Sequence, residues 1–302
     1  MKSNTAIILF VYNRLEHSIK TIKALVRDPL TSNIFFFVYS DGPKPGEDPE
    51  IVEKVRKEIR QELEKNSIAF EIIERTENVG LAANIISGLG NVFEKYESAI
   101  IFEDDIVCGD NAVSYAIQCL ERFKENEEIM HISLYTPIKR LISNKAYLSN
   151  IMFCWGWATW KRSWSHFQKN VEKTISETSL EEIKRFSFDG ALSTWEQIEL
   201  NYEGKLNTWA CFWSYSIFKK NGFCVTPPFS LVRNIGNDGS GTNSGASDIF
   251  NVAFENKQVC IKTALKECPR LERKILAFFK SMTSNHSDRL AILYTKIKKV
   301  LL

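Results

Sequence analysis

Three consecutive carboxylates, Glu103, Asp104 and Asp105, are the residues of this sequence best suited to chemistry. They follow the run Ala99–Phe102, whose uninterrupted apolar character predicts a buried strand. Adjacent carboxylates repel one another, which raises their pKa values, and a divalent cation removes that cost. Oxygen ligands suit Mg²⁺ or Mn²⁺, which usually take one or two protein carboxylates and fill the remaining positions with substrate phosphates. A solvated acidic turn is the alternative, and the position after a buried strand favours a metal-binding site.

Two other predicted strands also end in polar residues. The apolar run Ala6–Tyr12 leads into Asn13 and Arg14, and the run 34–39 leads into Ser40 and Asp41. Uninterrupted apolar strands that alternate with helices predict a mostly parallel α/β sheet covered by helices. Ligands of such sheets bind beyond the carboxyl ends of the strands, which is where all three polar sets fall.

Each of these strand-end residues also has a structural alternative. Arg14 can pair with a phosphate or be a surface charge at a helix start. Asp41 can accept a hydrogen bond from a nucleobase or a ribose, or form a turn before Gly42. The segment 75–80 leads into a predicted helix whose N-terminus favours an anion, with an ordinary helix cap as the alternative.

The region after Leu148 is rich in aromatic residues. All seven tryptophans lie between residues 155 and 213, beginning with Trp155-Gly156-Trp157. Aromatic faces stack on the C–H faces of sugars, so the cluster favours a sugar-binding wall, with core packing as the alternative. A glycine-rich loop at 234–243 follows, and its hydroxyl and amide donors suit a phosphate. The loop lacks the lysine of a P-loop, which argues against ATP hydrolysis of that kind.

Composition excludes several classes of function. The 302 residues carry a formal net charge of +2, so no overall positive field points to a nucleic-acid partner. The seven cysteines form no C-x-x-C pair, which argues against zinc and indicates reduced thiols in a cytoplasmic protein. No G-x-G-x-x-G follows the first strand, so a dinucleotide-dependent oxidoreductase is not expected. We expect no signal peptide, and no apolar run approaches the ~18 residues of a spanning helix.

The last segment, residues 266–302, differs from the rest of the chain. Apolar residues recur at helical spacing, and residues 269–302 hold eight Lys or Arg and two acids, a net charge of +6. A basic amphipathic helix of this kind can lie on an anionic membrane surface. Packing on the protein or on a second subunit is the alternative. We therefore expect a cytoplasmic protein that can be peripheral on the inner face of the plasma membrane.

Taken in order, these motifs resemble the donor site of GT-A glycosyltransferases. The acidic triplet is most similar to that of the N-acetylglucosaminyltransferase I group, whereas 154–160 and 231–242 resemble bacterial relatives in surface-polysaccharide synthesis. The resemblance covers residues 5–245. It rests on the ordered motifs Asn13-Arg14, Ser40-Asp41-Gly42, Asn78-Val79-Gly80-Leu81 and Glu103-Asp104-Asp105.

The resemblance implies roles for individual residues. Asp41 would meet the nucleotide base, which would be uracil, Glu103 would touch the donor sugar, and Asp104 the ribose. Asp105 would bind the metal ion, Mn²⁺ or Mg²⁺, which neutralises the departing diphosphate. The family is inverting, so a base deprotonates an acceptor hydroxyl that attacks the anomeric carbon from behind. The other expected donor-binding residues are Asn13, Arg14, Arg75, Asn78, Gly80, Trp155, Gly156 and Trp157.

One position departs from the family pattern. Relatives often carry an acid directly after the tryptophan that matches Trp209, and this sequence has Ala210 there. The candidates for the catalytic base are then Asp238, Glu196 and Glu199. A chain without a base would bind a glycan or a nucleotide sugar without turnover, so an inactive binding protein is one alternative.

These observations predict a GT-A-like α/β domain of the Rossmann type, with a mostly parallel sheet flanked by helices and a C-terminal helical extension. The domain would span residues 1–265, with a donor-binding half at about 1–147, an acceptor-binding half at about 148–265 and a basic tail at 266–302. The predicted enzyme moves a hexosyl or N-acetylhexosaminyl group from a UDP-sugar to a glycan acceptor, free or lipid-linked, in surface-polysaccharide synthesis. A nucleotidyltransferase is the second alternative, and the tryptophan-rich region argues against it.

Overall fold

The computed structural model describes residues 4–138, 144–236, 250 and 252–281. The chain forms two compact units. The first is made of Met1–Ser165 and Phe223–Glu267, and the second of His166–Gly222 and Cys268–Leu302. The domain limits near residue 147 and at residue 265 stay a prediction.

The first unit is an α/β structure built on one eight-stranded sheet and a second sheet of two strands. Its first elements are β1 (Thr5–Val11), α1 (Leu15–Leu25), a 3-10 helix (Pro29–Asn33), β2 (Phe35–Ser40), α2 (Pro49–Lys65), β3 (Phe70–Glu74), α3 (Leu81–Val92) and β4 (Ser98–Glu103). Its later elements are β5 (Ile106–Cys108), α4 (Ala112–Arg122), β6 (Ile129–Ser133), β7 (Tyr147–Ser149), β8 (Trp157–Trp160), α5 (Lys161–Trp164), β9 (Phe223–Thr226) and β10 (Val232–Asn234).

The large sheet has the strand order β3-β2-β1-β4-β8-β6-β9-β7. β1 pairs in parallel with β2 and β4, β2 pairs in parallel with β3, and β6 pairs in parallel with β9. β8 lies antiparallel between β4 and β6, and β7 lies antiparallel to β9. The sheet is mostly parallel and flanked by helices, which confirms the predicted Rossmann-type α/β fold class.

The central strands are apolar runs because helices cover the sheet. All seven residues of β1 are buried, as are the first five of β4. The register places Phe10 beside Glu103 and Val11 beside Ser40. β1, β2 and β4 therefore end at one edge of the sheet, and this edge carries the polar residues that the sequence singles out.

The small sheet completes this edge. β5 directly follows the acidic triplet and pairs antiparallel with β10, with Asn234 opposite Ile106. This pairing brings Ile235 and Gly236 beside the triplet, although they are distant from it in the sequence.

The second unit is helical in its described residues, with α6 (Val171–Glu177), α7 (Leu180–Phe186), α8 (Thr194–Tyr202), α9 (Ala210–Lys219) and α10 (Pro269–Lys280). Ser179 and Glu182 form a capping box at the start of α7. Trp195, Ile198 and Phe212 are central to its apolar core. α10 confirms the helical spacing of the first part of the tail, and residues 282–302 lie outside the described part. Within the described residues, no helix is long and apolar enough to cross a bilayer.

Candidate functional site

Arg14 is the positively charged side chain that pairs with the acidic triplet. Its Nε donates to Asp104 Oδ2 at 3.3 Å, and its Nη2 donates to Asp104 Oδ1 and, at 3.1 Å, to Asp105 Oδ2. Asp104 is 4% exposed and Asp105 is 5% exposed. Burial lowers the pKa of Arg14, but the two carboxylates outweigh that effect and the net pKa is raised. The sequence predicts a metal ion as the neutralising charge, and in the structure a guanidinium offsets part of the repulsion.

Two atoms of this cluster are buried and have no hydrogen-bond partner among the described residues: Arg14 Nη1 and Asp105 Oδ1. A buried polar atom left unpaired costs free energy, so each such atom in a folded protein calls for an explanation. One is a positively charged donor and the other a negatively charged acceptor. The cluster can therefore take an anion and a cation side by side.

The pKa values of Glu103 and Asp104 are raised chiefly by burial. For Glu103, burial is the largest cause and repulsion from Asp105 and Asp104 adds to it, while Arg14 opposes both. For Asp104, burial again raises the pKa and Arg14 acts against it. Repulsion is the cause expected from the sequence, whereas in the structure burial raises both pKa values more than repulsion does.

The backbone of the triplet is held from two sides. Thr21 Oγ1, on α1, donates to the Asp104 carbonyl at 2.8 Å, and the Ile235 N–H donates to the Asp105 carbonyl at 2.8 Å. Gly236 then passes so close that a Cβ atom there would lie 2.1 Å from Asp105 Oδ2 and 2.8 Å from Arg14 Nη1. A residue with a Cβ atom fits this position only if the Asp105 carboxylate and the Arg14 guanidinium shift. The predicted phosphate loop at 234–243 thus begins with a glycine against the acidic triplet, and residues 237–243 lie outside the described part.

The residues available for a metal ion are few. Among the described residues, no group of three or more His, Cys, Asp or Glu side chains is arranged to hold one. Asp105 Oδ1 is a carboxylate oxygen that has no hydrogen-bond partner in the part of the chain that the structure describes. This donor set fits Mg²⁺ or Mn²⁺ only in the mode in which substrate phosphates supply further ligands.

Asp41 follows β2 and uses its carboxylate to hold a loop. Oδ1 accepts from the N–H groups of Gly42 at 3.0 Å and Val79 at 2.9 Å, and Oδ2 accepts from Gly80 at 2.9 Å. A carboxylate has about four lone-pair positions, so roughly one is left on Oδ2 for another donor. The predicted contact between Asp41 and a nucleobase stays a prediction, and its turn-forming alternative is present in the structure.

The loop that Asp41 holds contains the other predicted donor-binding residues. Arg75 donates to Asn84 Oδ1 at 3.2 Å and to Ser87 Oγ at 2.8 Å, both on α3. Asn78 Nδ2 donates to the Gly42 carbonyl at 3.0 Å. Gly80 has a φ of +80° and directly precedes α3, a conformation that glycine adopts without strain. These contacts shape the loop, and a contact with a ligand stays a prediction for all three residues.

Arg56 is a structural residue of this edge that the sequence analysis does not identify. It is 7% exposed and donates to Ser40 Oγ at 3.0 Å and to the carbonyls of Asp41 at 3.3 Å and Arg75 at 2.7 Å. It ties the ends of β2 and β3 together. The signal is its spacing on α2, where the buried positions are 52, 55, 56, 59 and 63.

Asn13 follows β1, and its side-chain amide contacts Glu47, a residue that the sequence does not single out. Its Nδ2 donates to Glu47 Oε1 at 3.3 Å. Tyr12 also donates to Glu47, whose carboxylate in turn accepts from the Lys44 N–H at 2.9 Å. Glu47 therefore fixes the loop between β2 and α2 against the end of β1.

The tryptophans divide into one half-buried ring and six buried ones. Trp155 is half-buried, and its ring packs edge-on to Tyr135 and Phe250 with centroids 4.7 and 5.8 Å apart. Trp157 is 1% exposed and stacks on His131 at 5.3 Å, so this ring packs in the core. Gly156, between them, is buried, and a Cβ there would lie 3.3 Å from the Phe102 ring. The idea of a shared sugar-binding wall is therefore reduced to Trp155, because the remaining rings, Trp157, Trp160, Trp164, Trp195, Trp209 and Trp213, are all buried.

Two of the three candidates for the catalytic base lie in the second unit. Glu196 is half-buried on α8 of the second unit. Glu199, on the same helix, is 1% exposed and accepts from Trp195 Nε1 at 2.9 Å, and burial raises its pKa to about 7. Asp238 lies outside the described residues. Ala210 is the first residue of α9, also in the second unit.

Comparisons with known proteins do not identify a family for this chain. No protein-family model and no curated protein matches the chain. Among solved structures, a cytidylyltransferase from Leptospira borgpetersenii serovar Hardjo-bovis (strain JB197) is 10% identical, with a TM-score of 0.33. The match covers 59% of this chain and 66% of that one, which is less than two thirds of its length. A likeness of this size carries no argument about function, and the fold class rests on the sheet topology itself.

Proposed function

We propose that this protein is a metal-dependent glycosyltransferase that moves a sugar from a nucleoside diphosphate sugar to a glycan acceptor. The observation that carries the proposal is a pair of buried atoms without a partner among the described residues, Arg14 Nη1 and Asp105 Oδ1. A diphosphate bound with a divalent cation brings a negative and a positive charge together, and these two atoms complement that pair of charges. The edge beyond the carboxyl ends of the strands is also where sheets of this class bind ligands.

The donor is proposed to be UDP-linked. Asp41 is the candidate for the uracil, Asp104 for the ribose, and Glu103 with Trp155 for the sugar. Asp105 Oδ1 would hold Mn²⁺ or Mg²⁺, and a cation at this position supplies charge neutralisation for the departing diphosphate. Arg14 Nη1 adds a second positive donor for the phosphate oxygens.

The proposed reaction is an inverting transfer. A base removes the proton of the acceptor hydroxyl, the hydroxyl oxygen bonds to the anomeric carbon, and the carbon–oxygen bond to the diphosphate breaks. The nucleoside diphosphate leaves with the bonding electron pair. Glu196 and Asp238 remain candidates for the base, whereas Glu199 is enclosed in the core of the second unit and bonded to Trp195.

The proposed acceptor and location rest on the basic tail. α10 keeps Leu271 and Ile275 buried, and the other described residues of the helix include Arg270, Arg273, Lys274 and Lys280. We propose that this basic segment, with the residues beyond it, contacts an anionic membrane surface in the cytoplasm. A lipid-linked glycan of surface-polysaccharide synthesis fits an enzyme in that position.

Nucleotide release distinguishes this function from its alternatives. Purified protein is incubated with UDP-, GDP-, CMP- and dTDP-sugars and Mn²⁺, and thermal unfolding and free nucleotide are measured. A transferase is stabilised by one UDP-sugar and slowly releases UDP by hydrolysis without an acceptor. An inactive binding protein is stabilised without release, and a nucleotidyltransferase instead forms pyrophosphate from a nucleoside triphosphate. No stabilisation by any nucleotide sugar overturns the proposal.

A further inference from the structure

Arg14 makes the same kind of contacts that a divalent cation would make. Its guanidinium spans Asp104 and Asp105 and offsets the repulsion between them. Asp105 Oδ2 is bonded to Arg14, and only Oδ1 of that carboxylate is without a partner among the described residues. A cation that approaches Asp105 therefore meets a positive charge already in place.

The backbone of the acidic side of this pair is held by hydrogen bonds, whereas the basic side is a long side chain with several rotatable bonds. The carbonyls of Asp104 and Asp105 are each held by a hydrogen bond of 2.8 Å, from Thr21 and Ile235. Gly236 lies over Asp105 Oδ2, where a Cβ atom would require the carboxylate to shift. Arg14, in contrast, is a long side chain that is 19% exposed. We therefore expect a change of partner at this site to come from a movement of the guanidinium.

We propose that Arg14 is a built-in counter-ion that competes with a divalent cation for Asp105, and that a diphosphate relieves the competition by giving Arg14 another anionic partner. This inference rests on the proposed function, because the diphosphate is that of the nucleotide-sugar donor. Without nucleotide, the protein holds Mn²⁺ weakly. With nucleotide, Arg14 pairs with a phosphate and Asp105 binds the cation, so that each ligand strengthens the binding of the other.

The test is the affinity for Mn²⁺ in the absence of nucleotide, followed by the electron paramagnetic resonance signal of free Mn²⁺. Arg14→Met removes the competing charge and is expected to bind Mn²⁺ at least about tenfold more tightly than the wild type. Arg27→Met is the matched control, because Arg27 is an exposed arginine of the same unit that pairs with Asp110 at 2.9 Å. The control is expected to bind Mn²⁺ as the wild type does.

A second variant keeps the test decisive if Arg14→Met does not fold. Arg14→Lys retains the charge but lacks the fork that spans two carboxylates, so its affinity for Mn²⁺ should lie above that of the wild type. UDP should tighten Mn²⁺ binding more in the wild type than in either Arg14 variant. Equal or weaker Mn²⁺ binding by the Arg14 variants without nucleotide overturns the inference. Failure of the proposed function would show separately, as wild-type protein that binds Mn²⁺ but no UDP-sugar.

Discussion

Asp41 and Asp105 lie at the same sheet edge, and each is 5% exposed, yet their bonding differs. Asp41 accepts three backbone N–H groups and holds the loop before α3. Asp105 has one oxygen on Arg14 and the other without a partner among the described residues. The two aspartates thus take different roles, because three backbone N–H groups occupy most of the Asp41 carboxylate, whereas a whole oxygen of Asp105 retains capacity for a ligand.

Removal of Asp105 tests the ligand-binding half of this comparison and has the largest expected effect. Asp105→Ala should weaken Mn²⁺-dependent binding of a UDP-sugar by about 10³-fold, or about 4 kcal/mol, since the cation loses its protein ligand. Thermal unfolding should change little, because Arg14 still pairs with Asp104. Isothermal titration calorimetry with and without a chelator measures the loss. Asp110→Ala, which removes an exposed carboxylate paired with Arg27, is the control and should bind normally.

Removal of Asp41 tests the structural half. Asp41→Ala leaves three backbone N–H groups without their acceptor and should lower the free energy of unfolding by about 3 kcal/mol, measured by urea titration. Asp48→Ala removes a single bond to the Glu50 N–H at the start of α2 and should cost about 1 kcal/mol.

The same variant also addresses the nucleobase. If Asp41 meets uracil, Asp41→Ala should lose its preference for UDP over CDP as well as its stability. An equal loss for both nucleotides would assign Asp41 to the loop alone.

Glu199 is a third buried carboxyl and extends the comparison to pH. Its pKa of about 7 in the folded protein lies above the 4.5 of an ordinary glutamate, so the folded state retains a proton that the unfolded state releases. The stability that this proton supplies is present below about pH 4.5 and is lost as the pH rises to about 7. Between pH 4.5 and 8 the wild type should lose between about 2 and 3 kcal/mol relative to Glu199→Gln, which has no titrating group there. Urea unfolding of both proteins at several pH values measures this difference, and parallel profiles would contradict it.

A substitution at Gly236 changes the surroundings of Asp105 and has the smallest expected effect of these predictions. Gly236→Ala places a methyl group against Asp105 Oδ2 and should weaken Mn²⁺-dependent donor binding by about tenfold, or about 1.4 kcal/mol. Gly90→Ala is the matched control, because a Cβ at that position in α3 meets nothing within 4 Å. Donor affinities that are the same in both variants would show that Gly236 does not shape the site.

The long apolar strands of the first half could be predicted from the sequence. The runs predicted at 6–12, 34–39 and 99–102 correspond to β1, β2 and β4 within one or two residues at each end. Strands β6 to β9 are three to five residues long and include the antiparallel pairings of the sheet, so they carry no comparable local pattern. Their place in the sheet depends on distant partners.

The site could be predicted as a set of residues but not as a set of contacts. Arg14 and Asp105 are both singled out by strand-end position, whereas their ion pair joins residues far apart in the chain, which no local pattern encodes. Arg56 shows the opposite case, since its helical spacing places it among buried positions and a charged residue there signals a buried contact. The clustering of tryptophans in the sequence could not distinguish the half-buried Trp155 from the six buried tryptophans, because burial depends on the tertiary fold.

The pairing of β5 with β10 has a consequence for the order in which the protein folds. β1 to β4 are linked by successive helices, and their contacts lie within the first 103 residues. The Ile235–Asp105 hydrogen bond and the approach of Gly236 need a segment that leaves the ribosome much later. Long-range contacts of this kind form slowly because a long loop must close first. During synthesis, the triplet should therefore spend a period in a folded sheet but open to water, and it should become enclosed only when β10 adds to β5.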